Sequence, residues 1–402
     1  MKHGISRRGA LAAGLALGTA PVLARAAAPD PVRIGVLTDA SGPYAAVGGP
    51  GCLAAARIAA ADFGGTVLGR NIKVTLADTQ NKPNLAASIA RKWYDHGYDA
   101  VTDLPLTPVA IAVLDVAKEK RKTVMITASA ITQFTSSPKF CSPFSSHWAD
   151  DVHAMTTGTA KLLTRRGGKR WYFLTVDFIF GRMLQAAAAQ VIEANGGRVL
   201  GQSYFPVGNA DFSSQLLVAQ SSGADVIGFA AVGDDLDNAI KQAHEFGLTR
   251  GGKTTLAGFL VYITDIHALG LPATQGFVLS SSFYWNQSPT ARRFAARFRA
   301  VQAAEPNRDH AMNYVATLHF LKAMAQAGTR DALAVNKAMR AMPVDYMGHP
   351  ASVRADGRVL YDVTLWRVKL PTESKGDWDL YTPLGTLPPA EAFLPMNPAC
   401  SS

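Results

Sequence analysis

At 402 residues with 48% apolar side chains, the chain can bury a large core but exceeds the comfortable size of one domain, so two lobes are expected. Its 40 Lys and Arg outnumber 30 Asp and Glu for a formal charge of +10, but Lys2, Arg7, Arg8 and Arg25 fall in a segment read below as removed, leaving an excess of six. The other bases are scattered among acids rather than gathered with aromatics into a stripe, which argues against a nucleic-acid surface.

The N-terminus sets Lys2, Arg7 and Arg8 before an apolar run from Gly9 to Leu23 and small residues around Ala24–Ala28, the pattern of an export signal over residues 1–28. Ser6-Arg7-Arg8 is similar to a twin-arginine signal, with a Sec signal as the alternative, and either delivers to the periplasm. The apolar run is shorter than the roughly 20 residues that span a bilayer. Of the three cysteines, Cys52 opens an Ala-rich helix where a thiol packs as a small apolar group, whereas Cys141 and Cys400 lie in Pro/Ser-rich loops able to meet. A Cys141–Cys400 bridge suits an oxidising compartment, and three free thiols are the alternative.

Strand and helix patterns then alternate. Strand Val32–Leu37, helix Cys52–Asp62, strand Lys73–Ala77, helix Asn84–His96, strand Ala100–Asp103, helix Val109–Arg121 and strand Thr123–Thr127 give the β-α beat of a parallel sheet covered on both faces. A second series follows: helix Val152–Arg165, strand Trp171–Val176, helix Arg182–Ala194, strand Arg198–Phe205, helix Ser213–Ser222, strand Asp225–Ala230 and helix Leu236–Phe246. Gly64-Gly65-Thr66-Val67-Leu68-Gly69 and Gly196-Gly197-Arg198-Val199-Leu200-Gly201 both end a helix and start a strand, as a duplicated unit would, although glycine-terminated helices recur in unrelated folds.

Motifs for catalysis are missing. Gly247 and Gly252-Lys253-Thr254 have the spacing of a phosphate-binding loop, but a helix ends and a strand begins there, the reverse of the strand-to-helix context that cradles phosphate. No HExxH, CxxC or G-x-S-x-G is present, and nine dispersed histidines show no ligand spacing, so neither enzyme activity nor a metal or cofactor is expected. The pairs Asp150-Asp151 and Asp234-Asp235 precede helices and read as caps.

Ile34-Gly35-Val36-Leu37 through Ser41-Gly42-Pro43 resembles the opening of the branched-chain amino acid binding family of ABC importers. Asp78, Ile126-Thr127-Ala128-Ser129-Ala130, Phe180-Gly181, Asp211-Phe212-Ser213 and Ala239-Ile240-Lys241-Gln242-Ala243 follow in that family's order. The resemblance implies an α/β fold of two doubly wound parallel-sheet lobes joined by three crossover strands, the type I periplasmic binding protein fold. It places lobe one at 32–147 plus 283–352 and lobe two at 148–282 plus 353–400. The crossings then fall near Ser146–Trp148, Ser280–Tyr284 and His349–Val353, with helices Thr290–Ala303 and His310–Ala327 in lobe one.

The resemblance also implies a small organic ligand in the inter-lobe cleft, an inner-membrane ABC permease as partner, no cofactor, a periplasmic location and a monomer. Thr107 and Ser129-Ala130 occupy the turns that grip a ligand carboxylate, with a helix cap and a loop hydroxyl as the plainer roles. The family's amino-group acceptors are replaced by Ile131 and Phe259, and a buried ammonium without an anionic partner costs several kcal/mol, roughly. Tyr44, Trp148, Phe180, Phe259 and Tyr262 are candidate aromatic contacts, each equally able to be core, and Val232 is the remaining candidate. An aromatic or other non-amino carboxylate is therefore the favoured ligand, with a branched-chain or other amino acid, a ligand sensor for a receptor kinase, or an enzyme using the cleft as alternatives.

Overall fold

The computed structural model describes Met1, residues 29–248 and residues 253–400. Residues 2–28 of the export segment and residues 249–252 of the Gly247–Thr254 turn lie outside them. The first sheet holds β1 (Val32–Thr38), β2 (Thr66–Val67), β3 (Arg70–Asp78), β4 (Ala100–Asp103), β5 (Thr123–Ile126) and β6 (Ser145–His147), in the order β2-β3-β1-β4-β5-β6. All its pairings are parallel except β2 with β3. β4, β5 and most of β1 are buried on both faces, and their sequences are largely apolar, interrupted by Arg33, Thr102, Asp103 and Thr123.

The second sheet is built on β7 (Arg170–Val176), β8 (Arg198–Phe205), β9 (Val226–Ala230), β10 (Thr255–Gly258) and β11 (Val278–Ser281). A small antiparallel sheet of β12 (Pro343–Tyr346), β13 (His349–Val353) and β14 (Val359–Leu360) follows. The chain then returns to the second sheet as β15 (Val363–Val368) and β16 (Tyr381–Leu387), giving the order β16-β15-β11-β10-β9-β7-β8. The third crossing thus lies between Leu360 and Val363, after rather than within His349–Val353, because β13 is spent on a local antiparallel meander with its neighbours. Two α/β sheets are present, and helices Pro289–Arg299 and Arg308–Ala327, expected over Thr290–Ala303 and His310–Ala327, share a buried cluster with β1.

The crossings are tied together. His147 N donates to the carbonyl of Gly357 at 2.8 Å, and Gly357 adopts φ +86° with its α-carbon so close to Ser145 that a β-carbon would stand 2.5 Å from that residue's carbonyl oxygen. The buried Arg358 donates to the Ala149 carbonyl (2.8 Å), and Tyr361 donates to that of Trp148 (2.6 Å). The helix expected at Val152–Arg165 contains a π turn at Thr157–Lys161, where Thr159 Oγ1 donates to Gly258 O (3.2 Å) and to Ser280 Oγ (3.0 Å), locking the start of lobe two to the second crossing.

Cys141 and Cys400 form a disulfide with α-carbons 5.6 Å apart, and Cys52 is buried and free. Among the described residues no helix is long and apolar enough to cross a membrane.

Candidate functional site

The C-terminal ends of β4 and β5 build one wall of the cleft. Asp103 and Leu104, at the end of β4, both take positive φ (+86° and +70°), a costly conformation for residues with side chains. Bonds from Leu104 N to Leu37 O (3.0 Å) and from Thr127 N to Asp103 O (3.1 Å) hold it in place. The turn then feeds helix Thr107–Lys120, whose N-cap, Leu106, offers no side-chain acceptor to the first amides. Thr107 is therefore not the cap, and its Oγ1 lies 3.1 Å from Ser129 Oγ. Ser129 is positioned by His147, whose Nε2–H donates to the Ser129 carbonyl (2.8 Å) while Nδ1 accepts from Arg358 (3.0 Å). Burial, and then Arg358, push the imidazole pKa well down, so it stays neutral. Ala130 contributes its carbonyl to Val152 N at 2.9 Å, and the Tyr44 amide donates to Asp39 in the β1 turn at 2.9 Å.

Beneath this wall lies a buried polar network. Asn313, in the middle of helix Arg308–Ala327, donates to Thr127 Oγ1 (2.8 Å), Cys52 Sγ (3.1 Å) and the Asp309 carbonyl (3.1 Å), and accepts from Thr102 Oγ1 (2.9 Å). Burial raises the pKa of Asp103 beside it to about 6. Among the described residues, no group of three or more acidic, His or Cys side chains is placed to hold a metal ion.

The opposite wall is aromatic, and two expected contacts are core instead. Phe259 is fully buried, stacked on Trp171 (6.5 Å between centroids) and Phe173 (6.1 Å) beneath the second sheet. Trp148 is also fully buried, its Nε1 donating to Ser146 Oγ (2.8 Å) and its ring edge-on to His319. Both rings are enclosed by core packing, Trp148 in the first lobe's cluster and Phe259 in the second's. Phe180 is half-buried against the Trp171 layer, and Val232 is half-buried in the turn after β9.

Tyr262 does reach across. Its hydroxyl donates to Asp309 Oδ2 of the first lobe (3.2 Å), and the Arg308 guanidinium lies 4.5 Å from its ring centroid. Arg308 Nη1 stands 3.7 Å from Asp150 Oδ2, and Nε 3.8 Å from Asp309 Oδ1. Burial drives Asp309 up to about 8 despite Arg308. Asp150 accepts from Ser282 N (3.1 Å) at the second crossing, so only Asp151 of that pair caps a helix, accepting from Ala154 N at 2.8 Å.

Arg308, Asp309, Asp150 and Asn313 escape a reading of the sequence. Two charges just inside a capped helix normally mean an exposed first turn, and the available signal was only their adjacency to Pro306-Asn307 ahead of a long apolar helix.

Residues 31–377 match the family described as periplasmic binding protein. A solved periplasmic binding protein from Burkholderia mallei is 41% identical, with a TM-score of 0.82 over 91% of this chain and 96% of that one. A branched-chain amino acid ABC transporter periplasmic ligand-binding protein from Burkholderia xenovorans LB400 is 35% identical, with a TM-score of 0.85 over 90% and 97%. Among curated proteins, the Leu/Ile/Val-binding protein homolog 3 of Brucella melitensis is 24% identical over 313 residues, 77% of this chain and 83% of that protein. The order of strands, the paired lobes and these likenesses agree: the chain belongs to the periplasmic binding protein family.

Proposed function

We propose that the protein captures a small aromatic or other non-amino carboxylate between its lobes in the periplasm, without chemical turnover, and presents the closed form to an inner-membrane ABC permease. The observation that carries this reading is the turn at Thr107: two hydroxyls 3.1 Å apart beside the first amides of a 14-residue helix that no side chain caps. Amides aligned at the positive end of a helix dipole, with hydroxyls beside them, favour an anion without a salt-bridging base. Hinge closure over the bound solute would create the surface a permease recognises.

A second reading, an amino acid ligand, is favoured by Asp309 and Asp150. Ile131 and Phe259 stand where the family's amine acceptors were expected, and Phe259 is core, but these two buried acids offer carboxyl oxygens as acceptors from other elements.

A thermal-shift series separates the readings, since a ligand adds RT ln(1 + [L]/Kd) of stability. Benzoates and other non-amino carboxylates are expected to raise Tm in a dose-dependent manner. Stabilisation by leucine or valine with none from these acids would overturn the assignment in favour of the second reading.

A further inference from the structure

At the hinge end of the cleft lies a small, partly open space of about 10 Å³, with Asn307 and Arg308 on the first lobe, Tyr262 and Tyr381 on the second, and Ser281 and Tyr284 on the second crossing. Almost every polar group around it is spoken for. Asn307 caps its helix through Oδ1 and donates to Val47 O (2.8 Å), Tyr262 donates to Asp309, and Ser281 Oγ donates to Phe283 O (2.9 Å). The Tyr284 hydroxyl donates to Trp378 O (3.2 Å) and accepts from Leu380 N (3.1 Å).

Two groups are not. Arg308 has only 4% of its side chain exposed, and both Nη1 and Nη2 are buried without a hydrogen-bond partner, as is the Tyr381 hydroxyl. Leaving such donors unsatisfied costs about 1–3 kcal/mol each, more for charged groups, so a native site retains them only with something to bind.

Charge and size narrow what that is. Carboxyl oxygens of Asp150 and Asp309 stand 3.7 and 3.8 Å from the guanidinium nitrogens, near it but beyond hydrogen-bond reach, so what Arg308 lacks is a bonded acceptor. Asp150 Oδ1 is itself buried without a donor. The space matches one oxygen-sized guest, for which about 10–15 Å³ is needed, and is too small for a carboxylate.

We propose that this end of the cleft reads a hydroxyl group on the solute, with Arg308 donating to its oxygen and Tyr381 completing the contact, so that the ligand class is a hydroxy-substituted carboxylate. This rests on the carboxylate reading above: one end of the solute is held at the Thr107 turn and its hydroxyl is selected by Arg308. Selection follows because a solute lacking the hydroxyl would seal the donors in with nothing to bond.

Calorimetric titration of the full chain with benzoate and its three monohydroxy isomers tests this. At least one isomer is expected to bind ten-fold or more tightly than benzoate, as one recovered charge-assisted bond implies. Arg308→Gln should erase that preference, so that no hydroxylated isomer binds the variant more tightly than benzoate does. Tyr381→Phe, a milder change in case the first variant folds poorly, should reduce the preference several-fold. If benzoate binds wild-type protein as tightly as every isomer, the donors serve an ordered water and the inference falls alone. If no carboxylate of either kind binds, the carboxylate reading falls and takes this one with it.

Discussion

The two walls of the cleft stand on equivalent strand ends but are built from opposite chemistry. Under the first, Asn313 ties Thr102, Thr127 and Cys52 into a buried hydrogen-bonded floor. Under the second, Trp171, Phe173 and Phe259 stack in one apolar layer with centroids 6.0–6.5 Å apart. A polar network satisfies its donors in one geometry only, so it fixes the turns that carry Thr107 and Ser129. An aromatic layer contributes buried area and tolerates small shifts. On the proposed reading, the first lobe and the crossings hold the carboxylate, while the second lobe forms a stable cover that reaches over through Tyr262 and Tyr381.

Breaking the cover should give the largest effect. Phe259→Ala deletes a fully buried ring from a stack and should cost about 4 kcal/mol of stability, read as a lower urea midpoint. Ligand affinity of the fraction that remains folded should barely change. An affinity loss as large as the stability loss would mean that the aromatic layer also recognises the ligand, and the division of labour would fail.

Breaking the floor should be milder for stability and harsher for binding. Asn313→Ala leaves the Thr102 and Thr127 hydroxyls without their partner, for about 3 kcal/mol. It should also loosen the β4 and β5 turns, so that carboxylate affinity falls with stability. Unchanged affinity in the folded protein would show that the turns hold their shape without the network.

Much of the fold was legible because strands alternate with helices at short intervals and those buried on both faces are mostly apolar, as in β5 and β9. The Cys141–Cys400 pairing was legible from loop composition and compartment. Local sequence was a weaker guide. The two Gly-Gly-x-Val-Leu-Gly segments diverge, the first turning back as the β2–β3 pair and the second running straight into β8. The third crossing was displaced because β12 to β14 form a meander whose register depends on partners distant from any one strand. In the site, Thr107 and Ser129 were expected from the family resemblance, whereas the identity of an aromatic residue does not say how deeply a strand end buries it, and Trp148 and Phe259 lie fully buried in core packing. Arg308 and Asp309 were hidden because their burial depends on Tyr262 arriving from the other lobe.

That arrival has a measurable consequence in the titration of Asp309. Burial raises its pKa to about 8, with Asp103 and Asp150 adding to the shift and Arg308 and the Tyr262 hydrogen bond opposing it. In the unfolded chain the carboxyl titrates near 3.9. Between those values the folded protein holds a proton that the unfolded chain has lost, so stability is greatest at low pH and falls as pH rises towards about 8. The buried histidines act in the other direction. His310, lowered to about 4, and His147, lowered well below its usual value by burial and Arg358, reduce stability only as pH falls below about 6.5. The interval from 6.5 to 8.5 therefore isolates the raised acids, chiefly Asp309 and, up to about 7, Asp237. Tm should decline across it, with a slope no steeper than about 1.4 kcal/mol per pH unit per proton. Asp309→Asn should flatten the upper half of the decline, and Asp237→Asn only the lower. A profile that is level in the wild type, or unaltered by Asp309→Asn, would mean that Asp309 is hydrated in solution and that Tyr262 does not close over it, leaving the two walls apart when no solute is bound.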